Sequence, residues 1–237
     1  MLQTLASLLG LGILLASAAA AAPAARSGKL TDNAIYDLLF CDEAARFKPQ
    51  NGQAPAPWQT ELFAADPDAA AIRAIAEDET AESRVRLLAF NWLREHGHPV
   101  PPRRVLGVIV EAPVDGGVDV LAAYEDGRVR YINHTGKMSI FESAPANVAE
   151  KAKAVVASAI PAVNQIGPWN KKRLPPSMTD LRITMLASDG LYFGQGSYEV
   201  MLQDPKGGPI FDKALALLLL VVDKATERTN SSRRVSH

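Results

Sequence analysis

The chain has 237 residues, 48% of them hydrophobic and 22% charged, which suits one or two globular domains and excludes a disordered or fibrous protein. Its 25 Lys+Arg against 26 Asp+Glu leave a formal net charge of -1, so no whole-protein field draws it to nucleic acid or acidic lipid, and any electrostatic role must be local. Cys41, the single cysteine, excludes an intramolecular disulfide and a cysteine-based zinc or iron–sulfur site, and leaves four histidines for metal chemistry.

Residues 2–25 carry no charged side chain, and "LASLLGLGILLAS" followed by an alanine run reads as the apolar core of an export signal ahead of small-residue cleavage sites. The expected location is therefore periplasmic or secreted. No Lys or Arg precedes the apolar run, however, and about 20 apolar residues suffice to span a bilayer, so an uncleaved membrane anchor is the alternative. A cytoplasmic protein with a misassigned start is the third reading. Arg26 and Lys29 follow the segment and favour a cytoplasmic side for the rest of the chain if it is retained. Cys41 stands too far behind the run for a lipoprotein cysteine.

Residues 26–98 read as a helical region. Thr31, Asp32 and Asn33 are cap candidates for a helix in which Ile35, Leu38 and Leu39 recur at helical spacing. Cys41 follows as a small buried hydrophobe rather than a reactive thiol, since acids and no base flank it. Three prolines in "KPQNGQAPAPW" mark residues 48–58 as an irregular linker, and two helices follow it. The second carries "EDET" at its start and a broad apolar face of Val85, Leu88, Phe90, Trp92 and Leu93. In "REHGHPVPP", Gly97 and Pro99 make a helix stop, which accounts for His96 and His98 without a metal.

Residues 99–227 read as an α+β domain. From Val105 the apolar period changes to two: "VLGVIVEA", "VDVLAAY", "VRYIN" and "KMSIF" are four strands whose short connections require an antiparallel meander. Asp126-Gly127 is the strongest hairpin signal. A helix over 145–160 should end or kink at Pro161, and "LRITMLAS" returns to strand. The closing helix opens at Pro209 and is apolar almost all round between Ala214 and Val222, so it should be buried against the sheet, with residues 228–237 as a disordered tail. The predicted fold class is α+β, an antiparallel β-meander sheet with packed helices including that buried C-terminal one, preceded by the N-terminal helical region. This order is similar to that of profilin-like and roadblock-like scaffolds, but no diagnostic residue carries the likeness and no family follows from it.

"SDGLYFGQG" places Gly190, Gly194 and Gly196 at a spacing used by short-chain dehydrogenases to hold a nucleotide. Such a loop must lead into a helix, whose amides receive the phosphates. The next residues alternate as Tyr198, Val200 and Leu202 against Ser197, Glu199 and Met201, which predicts a strand and hence no cofactor. Asp189 at the turn is expected to bond its own backbone. No motif names a metal site or a catalytic residue, so the expectation leans away from an enzyme. The one candidate binding segment is "GPWNKKRLPPS": Trp169 beside Lys171, Lys172 and Arg173 suits an anionic partner surface, while a solvated loop with Trp169 tucked onto the domain is the plainer reading. The partner would be a protein or an anionic surface, not specific nucleic acid, with membrane contact through residues 1–25 if these are retained. The chain is thus expected to be a non-catalytic binding or adaptor domain. A small-ligand sensor or hydrolase, its site assembled from residues distant in sequence, is the alternative.

Overall fold

In the computed structural model, which describes residues 34–50 and 52–235, the alternating segments form strands where expected. β1 (Val105–Val114), β2 (Gly117–Tyr124), β3 (Val129–Ile132) and β4 (Met138–Phe141) follow one another as an antiparallel meander. After α5 (Ala146–Val163) the chain returns to pair β5 (Leu181–Ala187) with the free side of β1, and β6 (Gly190–Gly196) completes a sheet of order β4-β3-β2-β1-β5-β6. Central strands β1, β2 and β5 are buried along their whole length, because helices cover both faces.

On one face, Val108, Val110 and Ala112 pack with α5 and with α7 (Gly207–Val235); on the other, Leu106 and Ile109 pack with the N-terminal helices. Those are α1 (Ala34–Leu38), a 3-10 turn at Ala44–Phe47, α2 (Pro57–Leu62), α3 (Ala69–Glu77) and α4 (Ser83–Glu95). Three helices therefore follow the linker where the apolar periodicity predicts two, the short α2 being marked only by its first-turn proline. The cap candidates Thr31, Asp32 and Asn33 lie outside the described residues.

The first turn of α4 is capped from a distance. Glu82 in the cap position makes no side-chain cap bond; instead Asp126, in the turn between β2 and β3, accepts from the Ser83 amide at 2.8 Å while Ser83 Oγ accepts from the Asp126 amide at 3.0 Å. Replacing Asp126 with alanine removes that acceptor and should lower stability by about 1–2 kcal/mol. The check is a urea titration in which the midpoint falls at unchanged slope. At the other end of α4 the predicted stop holds: Gly97 has φ +75° and the His98 amide reaches the Leu93 carbonyl at 2.8 Å. Both histidines stack on Trp92, with centroids at 4.0 Å for His96 and 5.8 Å for His98.

Three expectations are corrected. The residues after Gly196 are helical, not extended: α6 (Tyr198–Gln203) starts at Ser197, whose side chain accepts from the Val200 amide, and buries Met201. Six residues are little more than one turn, too few for a period of 3.6 to be told from one of two. The helix α7 starts at Gly207, held by the Asp204 carboxylate at 2.6 Å, and as expected it buries Phe211, Ala214, Leu217, Leu218 and Val221 in the core, leaving Leu219 and Val222 on its exposed side. It also continues through residues 228–235, where a disordered tail is expected from composition. Helix α5 passes Pro161 and ends at Val163, so the proline sits in its last turn.

Candidate functional site

The segment joining α5 to β5, residues 164–180, carries all four candidate binding residues but uses them differently. Trp169 donates its amide to the Leu191 carbonyl at 2.6 Å, sets its ring edge-on to Phe193 at 4.9 Å and donates Nε1 to the Lys172 carbonyl at 3.1 Å. It is tucked onto β6. Lys171 and Lys172 are exposed, the first with its ammonium 5.6 Å from the Trp169 ring centroid. Arg173 turns inward: it donates to Asp42 Oδ2 at 2.9 Å and Asp37 Oδ1 at 3.0 Å, and its guanidinium lies 3.9 Å from the Phe40 centroid. Its charge ties the segment to α1.

A second tie runs beneath. Glu111 on β1 stands opposite Arg182 on β5, and both are almost wholly buried. Tyr36 donates its hydroxyl to Glu111 Oε1 at 2.7 Å, and Arg182 Nη1 lies 3.6 Å from Glu111 Oε2, an ion pair too long for a hydrogen bond. Arg182 spends its donors on the Leu174 and Pro175 carbonyls and on Gln195. Burial raises the Glu111 pKa above the usual carboxylate range, opposed by the Tyr36 hydroxyl and the two arginines. Burial likewise lifts the Tyr36 phenol and pushes the Cys41 thiol up to about 12, so Cys41 is the buried hydrophobe its neighbours predict.

These ties hold open a cleft of about 1150 Å³ between the segment 168–176, the start of α1, the end of α4 and the β5–β6 turn. Asn91 and Arg94 line it from α4, donating to the Cys41 and Ser188 carbonyls at 2.7 and 3.4 Å. Asp189 lines it from the turn, and contrary to expectation its carboxylate accepts from the Tyr192 hydroxyl at 2.9 Å. Burial, with that bond, pushes the Tyr192 phenol up to about 12. No family model, curated protein or solved structure matches the chain. Asp37, Asp42, Asn91 and Arg94 carry no sequence signal of a shared site, since they come from segments far apart in the chain. Among the described residues, no three of His, Cys, Asp and Glu gather as a metal-binding set.

The glycines lie within β6 rather than on a phosphate-binding loop: Gly194 pairs with Ile183 and Gly196 with Leu181. Because α6 begins just beyond Gly196, the backbone there is not the extended run that would by itself exclude a phosphate site. What separates the stretch from a nucleotide loop is its place, on an edge strand antiparallel to β5. A second polar cluster lies across the sheet. Asp119 accepts from the Tyr131 hydroxyl at 2.8 Å and from both the amide and Nδ1 of His134, at 2.7 and 2.9 Å. The adjoining cavity holds about 20 Å³, room for one water.

Proposed function

We propose that the chain is a non-catalytic binding domain whose ligand surface is the cleft walled by residues 168–176, and that residues 2–25 export it or hold it at a membrane. The observation that carries the reading is the make-up of the cleft. Its volume is at or above the usual range of about 300–1,000 Å³ for small-ligand sites. Asp37, Asp42, Glu43 and Glu95 face it together with Lys171, Lys172 and Arg94, so it suits a polar ligand bearing both signs of charge. Three of its acids help to hold its walls: Asp37 and Asp42 bind Arg173, and Asp189 binds Tyr192.

Calorimetric titration of the full chain against amino acids, mixed-charge peptides, small acids and nucleotides tests this. Binding is expected for the mixed-charge ligands, weakened at least about fivefold by Trp169→Ala, the scale of an aromatic contact in a binding site. Failure of every ligand, or turnover of an ester, phosphate or peptide that Trp169→Ala abolishes, sinks the reading. An adaptor that docks a protein is the second reading, favoured by the apolar residues left exposed on α6 and α7: Val200, Leu202, Leu219 and Val222.

A further inference from the structure

We infer that the seat of the Arg173 guanidinium is the cation-binding part of the cleft, filled by the chain's own side chain, and that a guanidinium of the ligand displaces it. This rests on the cleft being the ligand surface and names the group it takes. The seat is built for that shape. Asp42 Oδ2 accepts from Arg173 Nε at 2.9 Å and Asp37 Oδ1 accepts from Nη2 at 3.0 Å, while the guanidinium lies 3.9 Å from the Phe40 ring centroid and 5.3 Å from that of Tyr36. Two carboxylates at the edge and aromatic rings at the face select a flat, forked cation over a compact ammonium.

The occupant can also leave without the wall moving. Tyr36, Asp37, Asp42 and Arg173 all line the cleft. The backbone on either side of Arg173 is held independently of its side chain, the Trp169 amide by the Leu191 carbonyl and the Leu174 and Pro175 carbonyls by Arg182. Rotation of one side chain into a cleft of about 1150 Å³ therefore empties the seat.

The third observation is charge. Asp37, Asp42 and Glu43 share two arginines, Arg46 and Arg173, as ion-pair partners, one carboxylate more than those cations balance. Asp42 Oδ1 is buried and has no hydrogen-bond partner among the described residues. The seat thus attracts a cation whenever Arg173 is out of it, and an incoming guanidinium replaces like with like. An internal competitor lowers the apparent affinity by the fraction of time the seat is vacant, so the ligand must offer more than one cation. Its acidic groups meet Lys171, Lys172 and Arg94 in the same cleft.

Methylguanidinium probes the seat in the full chain. At millimolar concentration it should raise the thermal midpoint of Arg173→Ala, relative to tetramethylammonium at equal ionic strength, and leave the parent and Arg173→Ala/Asp42→Asn unmoved. Calorimetry with a peptide of alternating Arg and Asp, and with its citrulline counterpart, tests displacement. Arg173→Ala should bind the arginine peptide at least about tenfold tighter than the parent does, as for a seat that Arg173 leaves vacant no more than a tenth of the time, with no such gain for citrulline. Arg173→Lys keeps a charge at the seat and should gain in the same direction, which guards against an alanine variant that fails to fold. No methylguanidinium effect, equal affinity of parent and variants for the arginine peptide, or a gain shared by the citrulline peptide overturns the inference. Each of these leaves the cleft reading standing while Trp169→Ala still weakens the mixed-charge ligands. If methylguanidinium fills the vacated seat but no mixed-charge ligand binds either chain, the cleft reading fails and the displacement fails with it.

Discussion

Replacing Arg182 with methionine should lower the unfolding free energy by about 3–5 kcal/mol at neutral pH, the cost of leaving a buried partner charge uncompensated. Methionine fills much of the space but supplies neither charge nor donors. Glu111, 1% exposed, is left with the Tyr36 hydroxyl and the charge of Arg173, and the Leu174 and Pro175 carbonyls lose their donors, so the wall of the cleft loosens with the core. Adding Glu111→Gln should recover part of the loss, because a neutral amide no longer needs the guanidinium. A double-mutant cycle by urea unfolding measures the coupling, and strictly additive effects would count against the pair. The pH dependence has a defined sign. Burial already raises the Glu111 pKa in the folded state, so between the unfolded value and that raised value the folded chain holds the extra proton, and stability falls as pH rises through the window. Removing Arg182 raises the folded value further. The deficit of Arg182→Met should therefore be largest at neutral pH and shrink on acidification.

What could be read from the sequence divides along the range of the interactions concerned. Strands β1 to β5, the Asp126-Gly127 turn and the stop at Gly97 follow from local patterns, because period-two alternation and a left-handed glycine act within a few residues of themselves. Helix α6 escapes because Tyr198, Val200 and Leu202 alternate across a piece too short to show its turn, although Ser197 and Asp204 at its ends are cap residues. Which side of α7 stays exposed cannot be read from its run of leucines, since the number of elements packed around a helix is a tertiary matter. Trp169, Lys171 and Lys172 stand out as a cluster because they are neighbours in the chain. Arg173 looks the same in sequence and behaves oppositely, because its partners Asp37 and Asp42 are more than a hundred residues away. The cleft is legible only where one of its walls is continuous.

Gly127→Ala should cost about 2–5 kcal/mol. Two separate terms add. At φ +87° any side chain carries the left-handed penalty, about 1–2 kcal/mol. In addition an added Cβ would stand 2.7 Å from the Ala149 Cβ and 3.1 Å from its Cα, where the turn rests on α5. Such overpacking costs about 1–3 kcal/mol when the structure cannot yield. Here it cannot yield cheaply, because the neighbouring Asp126 is bonded to Ser83 at the start of α4, and moving the turn off α5 breaks that cap. Gly136 separates the terms: its φ is +84° and nothing lies within 4 Å of the position its Cβ would take. Gly136→Ala should therefore lose only the dihedral part. Adding Ala149→Gly to Gly127→Ala should restore the packing part while leaving the dihedral part in place. Equal urea midpoints for the two single alanine variants would show that α5 gives way and that the turn is not pinned between the two helices.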